Sequence, residues 1–163
     1  MPKVSVAGVA VDYVERGPGE ADWTLVLLHG FTPDHRLMTG AFEPVFARRD
    51  RWRRIYLDLP GMGLTKAPGH VGSTDDVYEV VREVVEKLVP GPYAVAGESY
   101  GGYLARGLVA EHAQRVTGMA LVCPMIVAAR HRVRQHDSGV DEAHAPPGAG
   151  RDSGRSRSGG RGP

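Results

Sequence analysis

The pentapeptide Gly97-Glu98-Ser99-Tyr100-Gly101 lies between a predicted strand and a predicted helix, and it constrains the fold more than any other feature. A serine on a tight strand-to-helix turn brings the two backbones close together, so only small residues fit two positions to either side. Gly97 and Gly101 meet that need, and Gly102 adds a further small residue. The pattern predicts a nucleophile elbow, with the serine hydroxyl at the carboxyl edge of a sheet.

The elements around this turn predict a sheet with helices on both faces. Residues 4–6 and 10–15 alternate like an antiparallel hairpin, and apolar runs predict strands at 23–28, 54–59, 93–96 and 117–122. Helices are predicted over 37–49 with an interruption near Pro44, over the valine-rich stretch that follows Ser73 and Thr74, and over 100–113. Strands that alternate with helices favour right-handed parallel crossovers.

Composition divides the chain near residue 137. Gly, Pro and Ser supply 14 of the 26 residues from 138 to 163, and no large apolar residue follows Val140. We therefore expect a folded domain over residues 1–136 and a disordered Gly/Ser/Arg/Pro-rich tail over 137–163. The tail arginines could contact nucleic acid, but a solvated tail is the favoured interpretation.

Charge and cysteine content exclude several classes of protein. A formal net charge of +1 gives no overall attraction to nucleic acid or membranes. Neither a secretory signal nor an apolar run of about 18 residues is found, so no membrane partner is expected. The single cysteine, Cys123, excludes an internal disulfide and fits a cytoplasmic location. We expect Cys123 to be packed at the end of its strand.

Three motifs in a fixed order resemble the amino-terminal half of the α/β-hydrolase fold. They are Leu28-His29-Gly30-Phe31, Asp58-Leu59-Pro60-Gly61-Met62-Gly63 and the segment from Gly97 to Gly102. The resemblance implies an α/β fold, a three-layer αβα sandwich. Its mostly parallel sheet would have the order 1-2-4-3-5-6, with strand 2 antiparallel and the last strands of the fold missing.

The same resemblance implies a site. Ser99 would be the nucleophile, and the backbone N–H groups of Phe31 and Tyr100 would form the oxyanion hole. Two residues, His29 and Gly30, would shape the loop that carries Phe31, while Gly97, Gly101 and Gly102 would shape the elbow. No cofactor and no metal are implied.

The identity of the nucleophile predicts the chemistry. Related dehalogenases and epoxide hydrolases place aspartate at the elbow, whereas this chain has serine. Serine indicates hydrolysis of a small-molecule ester, thioester or amide through an acyl-enzyme. Asp58 is expected to brace neighbouring loops. Glu98 could tune the elbow or face solvent, and the sequence does not choose between these roles.

The acid and the histidine of a triad have no convincing candidates after Ser99. His112 would be displaced by about 20 Å along the same helix. His131 and His136 lie among arginines, and His144 lies in the predicted tail. Since loss of the triad histidine costs on the order of 10⁶ in turnover, we expect weak or no activity.

Two further hypotheses follow from the missing elements. Residues past about 134 would come from an altered reading frame or a premature end of a longer hydrolase. The edge of the sixth strand would be unpaired and would favour self-association. The alternative function is a non-enzymatic module that binds a ligand or partner on a hydrolase-like shell.

Overall fold

A computed structural model of the protein describes residues 1–126. The predicted tail, the predicted boundary at residue 136 and the three histidines after residue 130 lie outside these residues. The strands and helices in chain order are β1 (Lys3–Val6), β2 (Val9–Arg16), β3 (Trp23–Leu28), α1 (His35–Phe46), β4 (Trp52–Leu57), α2 (Thr74–Leu88), β5 (Tyr93–Glu98), α3 (Tyr100–Glu111) and β6 (Val116–Val122).

The six strands form one sheet in the order β1-β2-β4-β3-β5-β6, which confirms the predicted order. Strand β2 is antiparallel to both of its neighbours, and the remaining pairs are parallel. In the central register Leu28 of β3 lies opposite Leu57 of β4 and Gly97 of β5. The loops that follow these three strands therefore begin side by side at one edge of the sheet.

Alternate residues of the central strands point to two separate layers of helices, as period-two side-chain alternation requires. One face packs against α2 and α3 through a larger apolar cluster that includes Val26, Leu28 and Val95. The opposite face packs against α1 through a smaller cluster that includes Leu27 and Met38. This arrangement is the predicted three-layer sandwich.

Helix α2 depends on its cap and on its packing. Ser73 accepts a hydrogen bond from the backbone N–H of Asp76, and the Asp76 carboxylate accepts one from the Ser73 backbone in return. This capping box satisfies two backbone donors that a helix start would otherwise leave unpaired. Five valines of α2 are buried against the sheet, which offsets the low helix propensity of branched side chains.

Helix α1 differs from its prediction at Pro44. The helix runs without interruption from His35 to Phe46, so the predicted interruption and the predicted end at residue 49 are wrong. Pro44 lies in the last turn, where its missing N–H removes only the bond to the carbonyl group of Gly40. Gly40 is exposed, so water can replace that bond.

Strand β6 pairs with β5 on one side, and its other edge has no strand partner among residues 1–126. Most of its residues are exposed, including Met119 at 46%. Cys123 follows the strand and is exposed too, so the expectation that it is packed is wrong. Helix α3 contacts β6 and packs against its partly buried residues Val116 and Leu121. None of the helices within residues 1–126 is long and apolar enough to cross a membrane.

Candidate active site

Ser99 occupies a strained turn between β5 and α3. Its φ of 47° and ψ of −111° lie where non-glycine residues are rare, and such strain costs about 1–3 kcal/mol. Three backbone hydrogen bonds hold the turn. The Ser99 N–H donates to Val122 O at 3.0 Å, and its carbonyl accepts from the N–H groups of Met125 and Tyr103 at 2.9 and 3.2 Å. The end of β6, the segment just after it and the first turn of α3 thus hold the serine together.

The glycines around Ser99 are required by close backbone contacts. A Cβ at Gly97 would lie 2.5 Å from the carbonyl carbon of Gly101, and one at Gly101 would lie 2.6 Å from the carbonyl oxygen of His29. A Cβ at Gly102 would lie 2.9 Å from Cβ of Pro124. The first two glycines let α3 approach β5 and β3, whereas Gly102 admits the segment that follows β6.

His29 is fully buried and both of its ring nitrogens are engaged. Nδ1 lies 2.7 Å from the Gly30 carbonyl oxygen, and Nε2 accepts from the Leu59 N–H at 3.0 Å. The bond to Leu59 requires a lone pair on Nε2, so Nδ1 carries the proton and donates to Gly30. Burial lowers the pKa of His29. The neutral imidazole of His29 is hydrogen-bonded at both ring nitrogens and so fixes the loop after β3. It has no free nitrogen that could abstract a proton.

The loop shaped by His29 lies directly against the elbow. A Cβ on Gly30 would lie 3.3 Å from Cβ of Ser99. Phe31, the next residue, packs its ring edge-on against that of Tyr100, with ring centres 6.2 Å apart. Burial raises the pKa of the Tyr100 hydroxyl. The structure therefore brings together Phe31 and Tyr100, the two residues assigned to the oxyanion hole. That their backbone N–H groups are its donors stays a prediction.

Asp58 ties the loop after β4 to the start of α1. One carboxylate oxygen accepts from both the backbone N–H and Nδ1 of His35, each at 2.8 Å, and the other accepts from the Leu64 N–H at 2.9 Å. The carboxylate is fully buried. With all these donors Asp58 acts as a brace between two loops at the edge where Ser99 lies.

Asp34, His35 and Asp58 also form the group that could hold a metal ion, since one ligand atom of each lies within 4.8 Å of the others. Each carboxylate already has strong donors. Arg36 pairs with Asp34 through its side chain and lowers the pKa of that carboxyl to about 2. The hydrogen bonds account for the cluster without a cation.

Glu98 is the residue for which the structure adds most to the sequence. Its half-buried side chain turns towards the loop after β3, and a Cβ on Gly30 would lie 3.1 Å from the Glu98 carboxylate carbon. No hydrogen bond or ion pair joins this carboxylate to any residue of 1–126. Within the described residues, Glu98 therefore presents a carboxyl group without a hydrogen-bond partner beside Ser99.

No histidine within residues 1–126 forms a hydrogen bond with the Ser99 hydroxyl. His112 lies at the far end of α3, where Nδ1 is 2.9 Å from the Tyr93 hydroxyl and Nε2 is 3.5 Å from a Glu86 carboxylate oxygen. His35 is held by Asp58. His70 is exposed and contacts Ala7 O at 3.0 Å. Histidines 131, 136 and 144 lie beyond the described residues.

A family model described as alpha/beta hydrolase fold matches residues 24–153. The Pseudomonas putida dihydrolipoyllysine-residue acetyltransferase component of an acetoin cleaving system is 32% identical over 120 residues, covering 74% of this chain and 31% of the relative. Haloalkane dehalogenase 2 of Mycobacterium tuberculosis is 30% identical over 112 residues, covering 68% and 37%. The pimeloyl-[acyl-carrier protein] methyl ester esterase of Nitrosomonas europaea is 29% identical over 117 residues, covering 72% and 41%.

Solved structures show the same likeness. An alpha/beta superfamily hydrolase from Oenococcus oeni superimposes with a TM-score of 0.67 at 30% identity, covering 78% of this chain and 46% of that one. The chain spans between 31% and 41% of the length of the three curated relatives. The similarity therefore concerns the amino-terminal portion of the α/β-hydrolase fold, which carries the elbow and the loop after β3.

Proposed function

Because the chain belongs to the α/β-hydrolase fold family, we propose that it is a serine hydrolase whose nucleophile is Ser99. The observation that carries this proposal is the strained φ of 47° at Ser99, beside the loop that begins at His29. A strained non-glycine residue persists only when its surroundings enforce it, and such residues cluster at functional sites. The proposed substrate is a small-molecule ester, thioester or amide, and the cytoplasmic location stays a prediction.

In the proposed reaction the Ser99 oxygen attacks the substrate carbonyl carbon and its proton passes to a base. The N–H groups of Phe31 and Tyr100 stabilise the resulting oxyanion, at about 3–4 kcal/mol for one such donor. Collapse of this intermediate breaks the bond to the leaving alcohol, thiol or amine, which takes up the proton. Water then hydrolyses the acyl-enzyme, releasing the acid and restoring the hydroxyl.

The described residues include the proposed nucleophile and the proposed oxyanion donors, but no histidine among them is hydrogen-bonded to the Ser99 hydroxyl. Both nitrogens of His29 are hydrogen-bonded, and His112 lies at the opposite end of α3. Without the triad, an oxyanion hole and substrate binding alone give a rate enhancement of about 10³–10⁴ over the reaction in water. We expect slow acylation of Ser99 and slower turnover.

A fluorophosphonate probe tests the nucleophile directly. Mass spectrometry of the labelled full chain should find the adduct on Ser99, and Ser99→Ala should abolish it. Ser73→Ala is the matched control, because Ser73 is a hydroxyl used in a helix cap, and this variant should label like the wild type. An unlabelled wild-type chain, or equal labelling of Ser99→Ala, contradicts the proposal.

A second candidate is a non-enzymatic module that binds a ligand on the same shell. The absence of an imidazole bonded to the Ser99 hydroxyl, within residues 1–126, favours it. Ligand-dependent thermal stabilisation that survives Ser99→Ala, together with no ester turnover, would support this candidate. Stabilisation lost with the hydroxyl would instead support the hydrolase.

We also propose that this chain self-associates through the open edge of β6. Within residues 1–126 that edge lacks a strand partner, and an almost wholly apolar groove of about 290 Å³, lined by Phe46, Trp52 and Met119 among others, runs beside it. Charged side chains protect such edges. Met119→Lys should therefore give a smaller species in sedimentation velocity, whereas Leu37→Lys on α1 should not. Wild-type monomers at all concentrations would refute this proposal.

A further inference from the structure

Thr32, in the loop after β3, has a backbone conformation that its own residue type disfavours. Its φ is 83°, and residues with branched side chains rarely adopt a positive φ. Pro33 follows, and a proline pushes the residue before it towards extended conformations at negative φ. Two independent preferences therefore oppose the observed φ, and the surroundings of Thr32 have to enforce it.

Strained residues gather at the edge of the sheet where Ser99 lies. Four non-glycine residues of the described region have a positive φ, and they are Ala7, Thr32, Ser99 and Cys123. The last three follow the carboxyl ends of β3, β5 and β6, which are neighbours in the sheet. Ala7 lies in the turn between β1 and β2. Thr32 therefore shares its edge with the proposed nucleophile, whereas Ala7 has the same kind of strain elsewhere.

Two buried side chains hold the loop on either side of Thr32. Before it, Nδ1 of His29 lies 2.7 Å from the Gly30 carbonyl oxygen, and after it the Asp58 carboxylate accepts from the His35 N–H at 2.8 Å. Within residues 1–126, neither Thr32 nor the residue before it forms a hydrogen bond, and both are exposed. Relaxation of Thr32 to negative φ therefore requires the chain between these two hydrogen bonds to rotate.

The hydrogen bond from His29 also sets the direction of the Phe31 N–H. The Gly30 carbonyl and the Phe31 N–H belong to one planar trans peptide and point in opposite directions. Rotation of this peptide would break the bond to His29 and turn the N–H away. One neutral hydrogen bond and one residue at positive φ involve free energies of the same order. The strain at Thr32 therefore opposes the bond that directs the Phe31 N–H.

We propose that Thr32 is a positioning residue for the reaction of Ser99, because its strained backbone sets the fraction of molecules in which the Phe31 N–H is directed as an oxyanion donor. This inference rests on the proposed function for its meaning. Molecules in which Thr32 has relaxed to negative φ lack that donor and react slowly. A residue that tolerates positive φ at this position should therefore speed the acylation of Ser99.

Thr32→Asn tests the proposal, because asparagine adopts positive φ more readily than threonine. The rate at which a fluorophosphonate labels Ser99 in the full chain should rise about fivefold, which corresponds to about 1 kcal/mol. Amide NMR relaxation dispersion should show exchange at Phe31 in the wild type and less exchange in Thr32→Asn. Thr32→Val keeps the branched side chain without the hydroxyl, so it should label like the wild type.

Ala7→Asn is the matched control, because it places asparagine at a φ of 45° in a turn that β2, β4 and β3 separate from β5 in the sheet. Both asparagine variants should raise Tm by about 2–4 °C, but only Thr32→Asn should change the labelling rate. Unchanged or slower labelling of Thr32→Asn, equal acceleration by Ala7→Asn, or acceleration by Thr32→Val would each overturn the proposal.

The NMR measurement separates this proposal from the hydrolase itself. If the wild type is not labelled at all, the hydrolase is refuted, and the exchange at Phe31 then decides the role of Thr32. Exchange that Thr32→Asn reduces and Ala7→Asn leaves unchanged would retain the loop equilibrium. Exchange that is absent from the wild type, or equal in Thr32→Asn, would refute it.

Discussion

Replacement of Gly101 by alanine should test the closeness of α3 to β3, on which the elbow depends. The new Cβ would lie 2.5 Å from the Leu28 carbonyl carbon and 2.6 Å from the His29 carbonyl oxygen. Unstrained contacts between carbon and a carbonyl oxygen are about 3.3–3.6 Å long. Helix and strand would therefore have to separate by about 1 Å, and both obstacles are backbone atoms that no rotamer change can move.

The cost can be estimated from the packing that this separation would loosen. Three side chains of α3, those of Leu104, Ala105 and Leu108, are fully buried against the sheet. Overpacking in a well-packed core costs about 1–3 kcal/mol, and more when backbone must shift. We expect Gly101→Ala to lower the free energy of unfolding by about 3 kcal/mol. Urea unfolding of the full chain, followed by circular dichroism, would measure this.

Gly40→Ala is the control with the opposite expected sign. Gly40 lies inside α1, is exposed, and has no heavy atom within 4 Å of an added Cβ. Alanine in a helix interior is favoured over glycine by about 0.5–1 kcal/mol. If Gly101→Ala cost less than about 1 kcal/mol, or Gly40→Ala destabilised equally, the contact argument would be wrong.

Three further substitutions test other parts of the structure. The free energy of unfolding of Ser99→Gly should exceed that of Ser99→Ala by about 1 kcal/mol, because glycine tolerates the positive φ and both variants lack the hydroxyl. Similar urea midpoints for the two variants would argue against strain at this position. Burial lowers the pKa of His29 below its usual 6.5, so the unfolded chain takes up a proton at a higher pH than the folded chain does. The free energy of unfolding should therefore fall as the pH drops below about 6.5, by up to about 1.4 kcal/mol per pH unit. Acid titration of His29→Gln should lose that part of the slope, and an unchanged slope would exclude His29 as its source. Glu43→Ala should cost about 2–4 kcal/mol in urea, since it leaves the buried Arg54 without its partner, whereas exposed Glu79→Ala should cost under about 0.5 kcal/mol; equal losses would contradict this ranking.

Local patterns were sufficient to predict the elements of the described region. The bounds predicted for β3, residues 23–28, agree with the structure, and the apolar repeat after Ser73 gave the buried face of α2. Helix periodicity and apolar runs act over a few residues, so they can be recognised without knowing the fold. The strand order came from the three motifs together, because pairing between distant segments has no local signature.

Side-chain partners could not be predicted in the same way. His35 and Asp58 are 23 residues apart, and nothing in either segment indicates that they meet. The direction of Glu98 depends on the space that Gly30 leaves, which is a property of the packed loop. The apolar pattern predicts that Cys123 is packed at the end of its strand, whereas most residues of β6 and Cys123 itself are exposed in the described region.

The hydrogen bonds of Ser99 connect the open edge of the sheet to the proposed chemistry. Its N–H is bonded to Val122 at the end of β6, and its carbonyl accepts from Met125 just beyond. A serine at positive φ relaxes unless its neighbours hold it, so any fraying of β6 would release the turn that makes the hydroxyl available. Strand β6 pairs on one side only among the described residues, and frays more easily than a central strand. Contacts that cover the outer edge of β6 should therefore raise both the free energy of unfolding and the rate at which a fluorophosphonate labels Ser99. If β6 did not hold the Ser99 turn, such contacts would change the free energy of unfolding alone.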